Sequence, residues 1–271
     1  MTEKRLLAVF AHPDDEVYRP GGTLALLARR GVRVHLLTAT RGGVGSRGDP
    51  PLCSPEELPA VRERELRRAC AALGIEPPRL LDYQDGHLSE ADPETIIAQI
   101  LAVVSEVRPQ AMLTYGPDGI SGHPDHIAIG KFAAEAFRRA ADVAALYTIA
   151  VPQSLAQAMD MAQIRAVPDD AVTLSVDVSA AWEAKMAAIY CHRTQLGESR
   201  ILSATDKSRL SRARRHRAGF NILEQHCRHY NIHQCDGRKN DQLHRAGGYA
   251  GPHHVEAHHA DSHAHGQEFH Y

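Results

Sequence analysis

Short runs of Val, Ile and Leu alternate with longer stretches of helical periodicity along the first two thirds of the chain. Short apolar runs without alternation are typical of strands that are buried on both faces of a parallel sheet. The predicted strands cover residues 6–10, 32–38, 79–83, 111–115, 145–150 and 172–176. The predicted helices cover residues 22–30, 55–73, 93–107, 124–141 and 179–195. Because strands and helices alternate, we predict an α/β protein with a Rossmann-like three-layer fold and a mainly parallel sheet.

The composition divides the 271 residues into three parts. Residues 1–203 carry all the predicted strands and are long enough for one α/β domain with a buried core. A basic run follows, and we interpret residues 204–233 as a basic helical C-terminal segment. Twelve of the 18 histidines lie from His216 onward. The His-rich tail, residues 234–271, has neither helical nor strand periodicity, and we expect it to be disordered and mobile.

The overall charge favours a small-molecule partner. The net charge is only −2, so the sequence gives no electrostatic reason to expect nucleic acid as a partner or insertion into a membrane. A homo-oligomer is compatible with these data. The five cysteines include no C-x-x-C pair, which favours reduced thiols over a disulfide framework. The N-terminal apolar stretch is too short for a signal peptide, and we therefore expect a cytoplasmic location.

The first chemically rich segment follows the first predicted strand and reads Ala-His-Pro-Asp-Asp-Glu, residues 11–16. Imidazole and carboxylate groups are both normal zinc ligands, and a loop at the end of a strand can bring His12 and Asp15 to one ion. Asp14 would then be available as a general base. The alternative interpretation is a turn with solvated acidic side chains, and this segment alone does not exclude it.

The second segment, residues 122–126, reads Gly-His-Pro-Asp-His and follows the fourth predicted strand. Proline suits the first position of a helix, so His123 is predicted to cap a helix that Pro124 begins. His123 and His126 are three residues apart and share one helix face. One of them can bind a metal while the other acts as an acid. Two such segments, each after a strand, predict a shared metal site. These ligand types also bind iron, cobalt or nickel.

The sequence resembles the PIG-L/LmbE-like family of N-acetylglucosamine deacetylases. The resemblance extends over residues 4–200 and is carried by the two segments above and by shorter matches elsewhere. Those shorter matches are G-G-T at 21–23, T-x-T-R-G at 38–42, R-x-x-E-L at 62–66, L-G at 73–74, D-G at 85–86 and H-R-T-Q at 192–195. Many family members have Glu where this chain has Gly43, and some sugar-thiol deacetylases have Tyr where it has Ser121. These two departures concern the substrate rather than the metal chemistry.

The resemblance implies roles for eight side chains. It implies that one zinc ion per chain is held by His12, Asp15 and His126. It further implies that Asp14 is the general base, that His123 in its protonated form faces the developing oxyanion, and that Asp125 orients His123. Arg62 and Asp85 correspond to family positions that contact the sugar. Which of Asp14 and His123 protonates the leaving amine is left open.

Three residues also have simpler interpretations. Arg62 lies in a run of alternating charges that is typical of a solvated helix face. Asp85 precedes a glycine and would suit an ordinary turn. His192 lies among apolar residues, where a buried structural histidine is a better interpretation than a ligand. The glycine-containing loop at residues 41–55 is predicted to be a lid near the pocket.

The expected function is that of a metal-dependent amidohydrolase. We expect zinc-activated water to attack the amide of an N-acetylglucosamine-type or related N-acyl amino-sugar conjugate. One alternative is a zinc amidase that acts on a non-sugar amide or a thiol conjugate. The other alternative is a metal-binding or storage protein that uses the His-rich tail.

Overall fold

The structure is a computed structural model that describes residues 3–196 and the backbone of residues 229–235. Five parallel strands form its main sheet, in the spatial order β3-β2-β1-β4-β5. They are β1 (Arg5–Phe10), β2 (Arg33–Thr40), β3 (Arg79–Tyr83), β4 (Ala111–Tyr115) and β5 (Ala145–Ala150). The sequence prediction of a mainly parallel α/β fold is therefore confirmed, and each of these strands lies within two residues of its predicted bounds.

The helices lie between the strands, as the sequence predicts. They are α1 (Asp15–Tyr18), α2 (Gly21–Arg29), α3 (Leu58–Leu73), α4 (Pro93–Val107), α5 (Pro124–Arg139), α6 (Gln153–Ala158) and α7 (Trp182–Ile189). Short 3₁₀ helices cover Leu88–Glu90, Asp169–Ala171, Ser179–Ala181 and Arg193–Gln195. The predicted helix at 179–195 is thus α7 with a 3₁₀ turn on each side. The single-turn α1 and the short α6 were not predicted.

Local sequence signals explain where several helices begin and end. Asp92 caps α4, where its Oδ2 accepts a hydrogen bond of 2.9 Å from the Thr95 backbone N–H. Pro93 and Pro124 occupy first helical positions, where a missing N–H costs nothing. α3 ends at Gly74, whose φ of 72° is a left-handed conformation that glycine adopts without strain.

The core lies on both faces of β1, which is the central strand. Leu7 to Phe10 are fully buried there. Helices α2, α3 and α7 pack against one another, and α4 packs against α5. Because right-handed crossovers place helices on opposite faces when the strand order reverses, these two groups form the outer layers of the fold. Among the described helices, none combines the length and hydrophobicity that crossing a membrane requires.

The sheet continues beyond β5 with two strands of mixed direction. β7 (His229–Cys235) is antiparallel to β5, and β6 (Leu174–Asp177) is antiparallel to β7. The prediction of a helical segment is therefore wrong for residues 229–233, because the open edge of β5 supplies backbone hydrogen-bonding partners that the sequence pattern does not reveal. Residues 234 and 235, which were assigned to the tail, belong to the same strand. The remaining predictions for residues 204–228 and 236–271 lie outside the described residues.

The order of the strands determines where a ligand can bind. From β1 the chain proceeds to β2 and β3 on one side, and it returns to place β4 and β5 on the other. The loops that follow β1 and β4 therefore diverge at a topological switch point, where α/β folds form their binding crevices. Both histidine-containing segments lie in these loops.

Candidate metal and active site

Three side chains of the two segments bring ligand atoms together at this crevice. His12 Nδ1 lies 3.2 Å from His126 Nε2, and His126 Nε2 lies 3.2 Å from Asp15 Oδ1. The other oxygen of Asp15, Oδ2, lies 3.8 Å from His12 Nδ1. A tetrahedral zinc ion with bonds of about 2.0–2.1 Å holds its ligand atoms about 3.3 Å apart. The two imidazole nitrogens are therefore at the spacing of two ligands of one metal ion, and each has a different Asp15 oxygen nearby.

The hydrogen bonds behind the two imidazoles decide which nitrogens carry protons. His12 Nε2 lies 3.0 Å from Asp125 Oδ2 and 3.0 Å from Asp85 Oδ1, so this nitrogen carries a proton. His126 Nδ1 lies 3.2 Å from the Gly119 carbonyl oxygen and donates to it. In neutral rings the lone pairs of His12 Nδ1 and His126 Nε2 then face each other and Asp15. Lone pairs that face one another repel unless a cation lies between them. The hydrogen bonds to the other nitrogen of each ring are the usual outer shell of a histidine metal ligand.

The charges around this point favour a cation. Burial lowers the pKa of His12, but hydrogen bonds to Asp125 and Asp85 outweigh it and raise that pKa to about 10. Burial also acts to raise the pKa of Asp15, yet His126 and His12 hold this pKa well below its ordinary value. Asp15 is therefore an ionised carboxylate. The acidic groups Asp15, Asp85 and Asp125 stabilise positive charge on or beside His12.

Two groups of three side chains here have ligand atoms close enough together for one metal ion, and His12 belongs to both. Their ligand atoms lie within 4.8 Å of one another in the combinations His12, His123, His126 and His12, Asp85, Asp125. In the second group both oxygens of Asp125 already accept backbone hydrogen bonds, of 2.8 Å from Gly86 and 3.0 Å from Leu88. Asp85 Oδ2 likewise accepts 2.9 Å from the Val44 N–H. These bonds fix the positions of both carboxylates against the His12 ring.

Asp14 immediately precedes Asp15 and has an unusual backbone conformation. Its φ is 111°, a left-handed value that residues with a side chain rarely adopt. Arg62 Nη2 lies 3.0 Å from Asp14 Oδ2, and the Asp14 N–H donates 2.9 Å to Glu16 Oε2. Burial raises the pKa of Asp14 to about 6, against the opposing charge of Arg62. Its carboxylate is thus held in place and has a pKa suited to exchanging a proton near neutral pH.

A buried contact with His192 stabilises Glu16, which accepts the hydrogen bond from the Asp14 N–H. His192 Nε2 lies 2.6 Å from Glu16 Oε1, and both side chains are almost completely buried. Burial acts to lower the pKa of His192, but the Glu16 carboxylate raises it overall. His192 belongs to neither of the possible metal groups found among the described residues. It therefore fits the structural interpretation, and the residue it stabilises is Glu16.

His123 begins α5, as predicted, and its ring faces the ligand histidines. Its ring centroid lies 4.9 Å from that of His12 and 4.8 Å from that of His126. His123 Nδ1 accepts a hydrogen bond of 3.1 Å from the Asp125 N–H, so the proton of the neutral ring lies on Nε2. Burial, together with the charges of His12 and His126, lowers the pKa of His123 to about 4.

The carboxylate of Asp125 makes contacts that the sequence does not predict. The resemblance implies that Asp125 orients His123, and this role stays a prediction. In the structure this carboxylate contacts His12 Nε2 and the N–H groups of Gly86 and Leu88, while only the backbone N–H of Asp125 contacts His123 Nδ1. The side chain at the second position of α5 points toward the turn after β3, a tertiary contact that helical spacing does not reveal.

Arg62 and Asp85, the two expected sugar contacts, are both buried at the site. Arg62 is 4% exposed, so the solvated helix face is the wrong interpretation for it. Its guanidinium group donates to the carbonyls of Gly42 and Pro13 as well as to Asp14. Gly42 has a φ of 66°, and a Cβ there would lie 2.3 Å from Arg62 Nη1. Asp85 links His12 to the Val44 backbone, so it does more than form a turn.

The predicted lid begins as a fixed wall of the site. Three contacts hold its first part: Gly42 O accepts from Arg62, Val44 N–H donates to Asp85, and Ser46 O accepts 2.7 Å from Gln195 Nε2. Val44 is nevertheless 68% exposed. This exposed apolar side chain is therefore held beside the pocket by its own backbone.

Tyr115 is a site residue that the sequence analysis did not single out. Its ring stacks on His126 at a centroid distance of 4.1 Å and an angle of 10°, and its hydroxyl hydrogen-bonds to Asp15. Glu16 was likewise named only as part of its segment. The available signal was position, because Tyr115 is the last residue of a parallel strand and such residues face the crevice. Tyr115 contacts His126 and Asp15, and Asp125 contacts His12.

Comparison with known proteins relates this geometry to a family. Residues 7–137 match the PIG-L family, described as GlcNAc-PI de-N-acetylase. The chain is 35% identical over 243 residues to the 1D-myo-inositol 2-acetamido-2-deoxy-alpha-D-glucopyranoside deacetylase of Thermobifida fusca strain YX. That alignment covers 72% of this chain and 85% of the relative.

Solved structures with the same fold include proteins with different activities. The N,N'-diacetylchitobiose deacetylase of Pyrococcus horikoshii has a TM-score of 0.61 at 21% identity, over 86% of this chain and 84% of that one. GalB, the 4-carboxy-2-hydroxymuconate hydratase of Pseudomonas putida KT2440, has a TM-score of 0.58 at 21% identity, over 89% and 99%. These two likenesses concern the fold alone, since one fold hosts several reactions. The sequence match to the curated relative is what decides the family. The chain therefore belongs to the PIG-L family of de-N-acetylases, which are hydrolases of amide bonds.

Proposed function

We propose that the protein is a zinc-dependent hydrolase that removes the acetyl group from an N-acetylglucosamine-type glycoside. The observation that carries this proposal is the convergence of the His12, Asp15 and His126 side chains, with Asp14 next to Asp15 in the chain and paired with Arg62. Two imidazoles and one carboxylate are the ligand types of catalytic zinc sites, which keep a fourth position open. The similarity to the inositol glycoside deacetylase supports an acetamido sugar as the substrate.

Zinc, when bound, supplies a Lewis acid that polarises the amide carbonyl and lowers the pKa of water. The protein's own groups handle the protons. Asp14 accepts a proton from the attacking water, and Arg62 holds its carboxylate in place. His123 donates its Nε2 proton in a hydrogen bond to the amide oxygen as negative charge develops there, for which a neutral ring suffices.

The leaving amine needs one proton, and we assign its delivery to Asp14. After water attack the Asp14 carboxyl group carries the proton that it has just accepted. Returning that proton to the amine nitrogen breaks the C–N bond, releases acetate and the free amino sugar, and restores the Asp14 carboxylate. His123 then remains a hydrogen-bond donor throughout the reaction, in agreement with its lowered pKa.

The test is a direct assay of both products. The full chain is loaded with one equivalent of zinc and incubated with 1D-myo-inositol 2-acetamido-2-deoxy-alpha-D-glucopyranoside, and acetate and primary amine are quantified. We expect equal amounts of the two products, and a loss of at least about a thousandfold in kcat for Asp14→Asn. Asp82→Asn, which alters an exposed carboxylate away from the ligand atoms, is the matched control. A folded, zinc-loaded protein that releases neither product from this glycoside or from methyl N-acetyl-α-glucosaminide contradicts the proposal.

A further inference from the structure

A second arginine lies against the glycine that precedes His123. A Cβ added to Gly122 would lie 2.5 Å from Nη2 and 2.7 Å from Cζ of Arg165. Gly122 also has a φ of 82°, so both its conformation and the space beside it require glycine. The next residue is His123, whose ring faces the ligand histidines. The Arg165 guanidinium group therefore lies one residue away from the proposed oxyanion donor.

The backbone of Arg165 is fixed to the same loop. Its N–H donates 2.6 Å to the carbonyl of Ile120, in the segment between β4 and α5. Two residues later the Val167 N–H donates 2.9 Å to the Val151 carbonyl, just beyond β5. These two bonds hold the segment after α6 beside the β4–α5 loop. The fold thus places the backbone of Arg165 beside the loop that carries Gly122 and His123.

The charge of Arg165 is not neutralised by any residue that the structure describes. No described carboxylate forms an ion pair with it, and no hydrogen bond engages its guanidinium group within residues 3–196. The other arginines near the site are paired: Arg62 with Asp14 at 3.0 Å, and Arg41 with Asp82 at 2.6 Å. Arg165 therefore presents five N–H donors and a positive charge beside the site.

We propose that Arg165 binds an anionic group, a carboxylate or a phosphate, on the aglycone of the substrate. This inference rests on the proposed function, which places the reacting acetamido group at the metal. In N-acetylglucosamine the acetamido group is on C2, and the aglycone is attached to the adjacent C1. An anion on the aglycone is therefore only a few bonds away from the reacting amide. A planar guanidinium group recognises carboxylate and phosphate oxygens in pairs.

Arg165 contacts a part of the substrate that does not change during the reaction, so its interaction lowers KM and leaves kcat nearly constant. For an exposed arginine we expect an effect of roughly tenfold on KM. A purely structural role would instead affect all substrates equally.

The test compares matched glycosides with the zinc-loaded full chain. The probes are the carboxymethyl and carbamoylmethyl α-glycosides of N-acetylglucosamine, which differ in charge but hardly in size, and N-acetyl-α-glucosamine 1-phosphate. For the wild type we expect a KM roughly tenfold lower for the carboxymethyl glycoside than for its carbamoyl counterpart. Arg165→Ala removes this preference, Arg165→Lys keeps part of it, and the control Lys131→Ala, which removes an exposed cation from α5, keeps all of it. The 1-phosphate arm shows whether phosphate is preferred to carboxylate.

Two results overturn the inference. One is a wild type that shows no preference for either anionic probe, and the other is a preference that survives Arg165→Ala. Binding of the carboxymethyl glycoside to zinc-loaded Asp14→Asn protein, measured by calorimetry with and without Arg165→Ala, gives the same comparison without turnover. Loss of turnover on every glycoside with an intact Arg165-dependent binding preference contradicts the proposed function and leaves this inference standing.

Discussion

Replacing Glu16 with alanine tests whether a buried carboxylate holds Asp14 in its working conformation. Glu16 Oε2 accepts 2.9 Å from the Asp14 N–H, and Glu16 Oε1 lies 2.6 Å from His192 Nε2. A left-handed conformation costs a residue with a side chain about 1–2 kcal/mol. A hydrogen bond to a charged group contributes about 1.5–3 kcal/mol, enough to offset that cost. Without Glu16 the backbone of Asp14 is expected to relax toward negative φ.

The size of the effect follows from these magnitudes. Loss of about 1.5–3 kcal/mol lowers the population of the working conformation by about 10- to 150-fold. We therefore expect kcat of Glu16→Ala to fall roughly 10- to 100-fold with little change in KM. Global stability should also fall by about 3–5 kcal/mol, because His192 loses its partner in the interior.

The assay is steady-state deacetylation together with zinc content and thermal unfolding of each variant. Glu16→Gln is the matched control, because its amide oxygen still accepts from the Asp14 N–H, and its kcat should fall less than that of Glu16→Ala. The reasoning is refuted if Glu16→Ala is folded and zinc-loaded and retains wild-type kcat. It is also refuted if Glu16→Gln and Glu16→Ala lose kcat equally.

Three further results are expected. Asp125→Asn weakens the hold on His12 Nε2, so zinc affinity by competition with a chelating dye should fall about 10- to 100-fold, and an unchanged affinity contradicts the role given to Asp125. Tyr115→Phe keeps the stacking on His126 but loses the hydroxyl contact to Asp15. The same titration should therefore show a smaller loss of zinc affinity than Asp125→Asn does, and a larger loss contradicts this prediction. Removal of metal by a chelator should abolish deacetylation and lower the Tm, and added zinc should restore both, whereas full activity after complete zinc removal contradicts a metal-dependent reaction.

The sequence predicts the layers of the fold because the strands of a parallel sheet are locally distinct. β1 to β5 are short apolar runs, and the helices between them carry caps that can be recognised from single residues such as Asp92 and Gly74. β7 is different, since its residues become a strand through pairing with β5 and β6. Such pairing depends on a long-range contact for which the sequence carries little local signal.

The convergence of His12 and His126 could be predicted because parallel strands end at one edge of the sheet. The partners behind them could not, since the directions of the Asp125 and Glu16 side chains depend on how loops pack. For Arg62 a signal was available in the sequence. It lies four residues before Leu66 and eleven before Leu73, and helical periodicity places all three on the buried face of α3. The alternating charges around Arg62 concealed that pattern.

A crystal structure of the zinc-loaded protein with anomalous scattering at the zinc edge tests the central claim most directly. We predict one zinc ion bonded to His12 Nδ1, His126 Nε2 and an oxygen of Asp15, at about 2.0–2.2 Å. His12 Nε2 should remain hydrogen-bonded to Asp125, with the Asp85 carboxylate about 3.0 Å away. An ion bonded instead to Asp85 and Asp125 contradicts the assignment of ligands and, with it, the role proposed for Asp14.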